Sequence, residues 1–174
     1  MVKLISNRSK FFVLIGISVV FFVLWQQGLQ NFHANILAGV SNAIMLVTGS
    51  GKTMTYVLDN NTPTFWIQIV VDGRRARFPQ EVGSLLQPTV MILAWQFFLF
   101  LVIKPIRALK LFLINIGIYL LIQIFFIFQL SGYHTSSIQK FLYEMLKGNF
   151  YVIALIFIIK DNIFNPVFRL KPTQ

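Results

Sequence analysis

The sequence predicts an all-α polytopic membrane protein with four transmembrane helices, outer amphipathic helices and a small outer β-hairpin, all in a single membrane domain over 1–174. Three observations predict it. The chain is 56% hydrophobic and 16% aromatic but only 11% charged, with a mean hydropathy of +0.72, too little charge to cover its apolar runs in water. Those runs approach the length a bilayer requires, and basic residues flank them.

The first run, "FFVLIGISVVFFVLW", follows Lys3, Arg8 and Lys10 and reaches spanning length over 11–29. It reads as an uncleaved signal-anchor, because the bulky, polar "QQGLQNFH" after it has no small-x-small cleavage pattern. The second span is 85–103, with Pro88 in its first turn, and the third is 111–130. The fourth, 146–163, has only ten uninterrupted apolar residues and spans only with Lys147 and Lys160 snorkelling to opposite surfaces; a buried or re-entrant helix is the alternative there. In the outer segment 30–84, apolar positions at helical spacing predict a helix over 34–49. The β-branched and aromatic runs that follow, separated by "NNTP" and an Asp-Gly turn signal, predict a β element over 53–79. "SSIQKFLYEMLKGN" reads as an amphipathic helix covering the outer ends of its neighbours.

With the N-terminus inside, nine of the fifteen basic residues fall in the short segments 1–10, 104–110 and 160–174. Four of the five acids lie outside. Both termini are therefore expected in the cytoplasm, in a bacterial inner membrane. The net charge of +10 suits anionic lipid headgroups rather than nucleic acid. No cysteine is present, which removes disulfides and thiolate chemistry. Two His and five acids offer few ligands, so no metal and no cofactor are expected.

"GSGKT", Gly49 to Thr53, is the ending of a phosphate-binding loop, but Leu46 stands where the first glycine belongs, and a helix precedes it with a strand after it. That order is reversed, so no nucleotide is expected. Arg74, Arg75 and Arg77 form an outer cluster against the positive-inside trend and are the best candidates for binding an anionic group or a partner. His33 and His134 both fall on the outer side. Within the spans the polar residues Gln96, Asn115 and Gln123 are neutral amides suited to interhelical hydrogen bonds. A lack of ionisable residues there argues against a pore or carrier.

The order of a glycine-ended helix, an outer β element, a helix, a basic inner turn, a returning helix, a His and a final helix resembles the exosortase/archaeosortase family of membrane transpeptidases over roughly 35–163. That resemblance implies a nucleophile near Gly83 in "QEVGSLL", an Asn and an Arg at the positions of Gln123 and Phe126, and a His at His134. The nucleophilic Cys and the Arg are absent. The expectation is a non-enzymatic protein, a catalytically inactive exosortase-like scaffold or subunit of a membrane assembly. Its expected partners are membrane lipids and a membrane protein or a second copy. The alternative is a divergent transpeptidase or protease processing C-terminal sorting signals through Ser84 and His134. A small pore or carrier is the third reading.

Overall fold

Each long apolar run forms a helix. In the computed structural model, which describes residues 7–71, 74–134 and 136–168, α1 (Asn7–Leu24) passes through a wider π-type turn (Trp25–Leu29) into α2 (Gln30–Val47). Three antiparallel strands follow in the order β1 (Thr53–Asp59), β2 (Thr62–Val71), β3 (Arg74–Glu81). The short α3 (Gly83–Leu86) leads into α4 (Pro88–Val102), then α5 (Pro105–Ser131), α6 (Ser137–Lys147) and α7 (Phe150–Phe164). The stretches Asn7–Val47, Gly83–Val102 and Pro105–Ser131 are long and apolar enough to cross a membrane. α6 and α7 reach that standard only as a pair bent by 57°.

Several boundaries differ from the sequence reading, each for a local reason. The helix expected over 34–49 begins at Gln30, because the chain continues helically out of α1 through the π turn. At about 1.5 Å per residue, the run from Asn7 to Val47 is far longer than a bilayer core of about 30 Å. It is interrupted at Gly28, with φ +128° and ψ −9°. The basic stretch 104–110, read as a turn, is mostly the start of α5: Pro105 occupies the first turn, where no N–H is needed, and only Ile103 and Lys104 leave helical geometry. The span expected over 146–163 is broken at Gly148 and Asn149, and α7 itself holds only 15 residues.

The β element has three strands and extends to Glu81, and the arginine segment lies in β3. Asn60 and Asn61 both adopt positive φ (46° and 65°), the two-residue turn that suits the twist of a hairpin. The Asp72-Gly73 turn signal and the terminal residues Lys3, Arg169 and Lys171 lie outside the described residues.

Strand alternation gives the sheet one buried face. Met54, Phe65, Ile67 and Ile69 join Leu37 and Phe126 in the main apolar core. The edge of β1 is held by α2: Asn42 donates Nδ2 to the Met54 carbonyl (2.8 Å) and accepts the Met54 N–H at Oδ1 (2.7 Å), as a neighbouring strand would. After α2, Gly49 and Gly51 take φ of 64° and 63° and turn the chain so that Lys52 Nζ donates to the Ser131 carbonyl at the end of α5 (2.9 Å). Partial burial pulls the Lys52 pKa below the usual lysine value. At the far end of the bundle, Asn7 Nδ2 donates to Phe168 O (3.1 Å) and Lys10 Nζ to Val167 O (2.7 Å). The two described ends of the chain therefore meet there.

α6 differs from its expectation in orientation. Ser136 caps it, its Oγ accepting the Gln139 N–H, and Tyr143 is the residue buried against Phe126 (4.8 Å between ring centroids). Ile138, Phe141 and Met145, expected to cover neighbouring helix ends, are exposed at 73%, 68% and 50%. This apolar stripe faces away from the protein, as on a helix lying in a lipid interface.

Gly28 supplies a prediction. A Cβ there would meet no heavy atom within 4 Å, so Gly28→Ala meets backbone strain alone, about 1–3 kcal/mol. Thermal unfolding in detergent micelles should show a lowered midpoint. Gly117→Ala, in open space on α5, should leave the midpoint unchanged or raised.

Candidate functional site

The neutral amides expected within the spans do bond between helices, and two of them converge on a carboxylate. Asp161 of α7 is completely buried. Its Oδ2 accepts from Trp95 Nε1 (3.1 Å), Gln96 Nε2 (2.8 Å) and Asn115 Nδ2 (2.7 Å). Lys160 Nζ lies 3.4 Å from Oδ1 and also donates to Asn115 Oδ1. Three N–H donors on one oxygen and an ammonium at the other suit a carboxylate, which accepts at both atoms. The knot ties α4, α5 and α7 together.

Sequence reasoning missed it for a simple reason. In "IFIIKDNIF" the Lys-Asp pair reads as the hydrophilic flank of a short span, whereas α7 continues past it and turns Asp161 inward. The step that found no ionisable residue inside the helices is therefore corrected. The usable signal was helical spacing: Ala154, Phe157 and Asp161 fall on one side of α7, and all three are buried.

A second knot lies about 12 Å along α5, eight residues on at 1.5 Å each. Gln123 is fully buried, and its Nε2 donates to Leu85 O (2.9 Å) and Thr89 Oγ1 (3.3 Å). Its Oε1 therefore faces His33 Nε2 (3.1 Å), so that nitrogen carries the proton. His33 joins α2 to α5. Its ring lies 5.7 Å from the ring of the buried Trp25. Both knots bind helix to helix.

The arginine cluster is divided by the strand that carries it. Arg75 and Arg77 share a face, opposite Val70 and Gln68 of β2, while Arg74 has the other parity. The Arg77 guanidinium lies 4.6 Å from the centre of the Trp66 ring, a cation–π contact. All three arginines are exposed, and among the described residues none has a carboxylate within 4 Å. With Pro79, they also discourage further strands from adding to the free edge of β3.

Ser84 lies in α3 and His134 just after α5, and among the described residues no hydrogen bond joins them. The His134 ring stacks on Phe78 of β3 (4.3 Å between centroids) and meets Tyr133 edge-on (5.0 Å). Tyr133 donates its hydroxyl to Glu144 (2.8 Å), and that bond raises the phenol's pKa. Gly83 leads into the same short helix, and Phe126, at the position of the family's Arg, packs in the apolar core. Among the described residues no group of three or more His, Cys, Asp or Glu could hold a metal ion.

Comparison with known proteins adds no relative. The chain matches no protein family, no curated protein and no solved structure. Its function is argued from its own residues.

The Asp161 knot carries the second prediction. Asp161→Ala leaves three buried donors without their acceptor and an ammonium without its counter-charge, which should destabilise the fold by about 3–5 kcal/mol. Asp161→Asn should lose less, because its one oxygen can still receive the three N–H groups. Unfolding in detergent followed by Trp fluorescence would rank the two, and equal stability of wild type and Asp161→Ala would remove the knot from the account.

Proposed function

We propose that the chain is a non-enzymatic integral membrane protein, an exosortase-like scaffold without transpeptidase activity that serves as a subunit of a membrane assembly. In this reading four segments span a bacterial inner membrane, both termini are cytoplasmic, and the sheet faces outward. The meeting of Asn7 and Lys10 with Val167 and Phe168 supports an even number of crossings. The outward apolar stripe of α6 supports an interfacial position for that helix. The order of helix, sheet, helix, returning helix and final helix supports the family likeness.

One observation carries the scaffold reading: the pairing of half-buried Trp66 with exposed Arg77, beside exposed Arg75, on the outer face of the sheet. Trp and Arg are the residues that most often anchor protein interfaces, and guanidiniums with no carboxylate within 4 Å among the described residues suit carboxylates on a partner. The chemistry for acyl transfer is not gathered in the same way. A transpeptidase needs an activated nucleophile and a stabilised oxyanion, and among the described residues no base is hydrogen-bonded to Ser84. The partner is therefore another membrane protein with an acidic outer surface.

The paired substitution Arg75→Gln with Arg77→Gln should reduce partner recovery in mild detergent by roughly tenfold while membrane insertion stays intact. Ser84→Ala and His134→Ala should each complement a deletion strain fully. Loss of complementation in both would favour the divergent transpeptidase instead. A reporter fused at Asn60 should be periplasmic, and one at the C-terminus cytoplasmic.

A further inference from the structure

Between α1, α4 and α5 lies an open cleft of about 780 Å³, within the range of roughly 300–1,000 Å³ that holds ligands of drug size. Its walls are apolar: Val13, Ile17 and Phe21 from α1, Phe97 and Phe100 from α4, and Phe112 from α5. Gly16 stands on the α1 wall, where a Cβ would meet no heavy atom within 4 Å. Its missing side chain leaves room in the cleft.

Toward the end of the bundle away from the sheet, one turn along α1, a smaller hollow of about 250 Å³ is lined by Lys10, Val102, Ile103, Arg107 and residues 164–167. Val13 of the cleft and Val102, Ile103 and Val167 of the hollow belong to one apolar cluster, so the two spaces adjoin. Among the described residues that line it, the hollow has two cations and no acid. Lys10 uses one donor on Val167 O (2.7 Å), and Arg107 reaches Phe164 O at 3.4 Å. An ammonium has three donors and a guanidinium five, so both keep N–H groups for another acceptor. Among the described residues neither has a carboxylate within 4 Å.

We propose that the cleft and hollow together hold one anionic glycerophospholipid, its acyl chain against the phenylalanines and its phosphate between Lys10 and Arg107. The inference rests on the membrane reading above. An apolar cleft alone would admit any lipid tail or a partner's helix; the adjoining cationic pair selects a headgroup with net negative charge. This is a site with its own geometry, separate from general attraction of basic flanks to a charged surface.

The test uses the full chain reconstituted in vesicles of equal parts phosphatidylglycerol and phosphatidylcholine, re-extracted in mild detergent, with retained lipid identified by native mass spectrometry. Wild type should keep phosphatidylglycerol preferentially. Lys10→Gln and Arg107→Gln should each lower the ratio of the two lipids by roughly fivefold, and Lys10→Arg should preserve it. Gly16→Leu should reduce retained lipid of both kinds by filling the cleft, while favouring the α1 helix. A wild-type ratio equal to that of the vesicles, or one unchanged by both charge removals, would overturn the proposal. So would a Gly16→Leu variant that loses a co-purifying protein and keeps its lipid, since a helix would then occupy the cleft. Failure of the membrane reading is separately visible, because alkaline carbonate would strip the chain from membranes.

Discussion

The arrangement of the bundle depends on one carboxylate. Apolar side chains packed against lipid-like surroundings give helices little preference for one register over another, since sliding exchanges one hydrocarbon contact for a similar one. Asp161 removes that freedom. Three donors on two helices must reach a single oxygen, and a helix displaced by one residue would leave a charge and several N–H groups unpaired in a medium that cannot solvate them. The fixed positions of α4, α5 and α7 follow from this, and with them the cleft beside α1.

The Gln123 knot acts at another level of α5, and the two differ in kind. Around Asp161 the bonds are charge-assisted and enclosed. Around Gln123 they are neutral, and one participant is a histidine that is only half-buried. α2 carries that histidine and also holds β1 through Asn42. The Tyr56 hydroxyl of β1 also donates to Asn31 of α2, so α2 helps set the Trp66–Arg77 face relative to the bundle.

Much of this architecture was legible in the sequence. The apolar runs located the long apolar helices, Gly83–Val102 within two residues of its expected bounds, and "NNTP" located a turn, because these signals are local: one depends on accumulated hydrophobicity, the other on residues tolerant of positive φ. The pairing partners were not legible. Nothing near Asp161 in sequence announces Trp95, Gln96 or Asn115, which lie 66, 65 and 46 positions away, and the adjacent Lys160 disguised the pair as a polar flank. The arginine cluster was legible as composition, but its division was not, because residues adjacent in sequence alternate sides in a strand. Helical spacing correctly identified α6 as amphipathic, but a hydrophobic stripe does not tell whether it meets protein or lipid.

The "GSGKT" segment has an electrostatic meaning opposite to the one its letters suggest. A phosphate loop offers the positive end of a helix to an anion. Here two left-handed glycines swing a lysine onto the terminal carbonyl of a 27-residue helix, so a cation meets the negative end of a helix dipole. The charge that would have gripped a nucleotide is engaged in neutralising the end of one of the protein's own helices. An anion seeking Lys52 must compete with a backbone carbonyl the fold already presents to it.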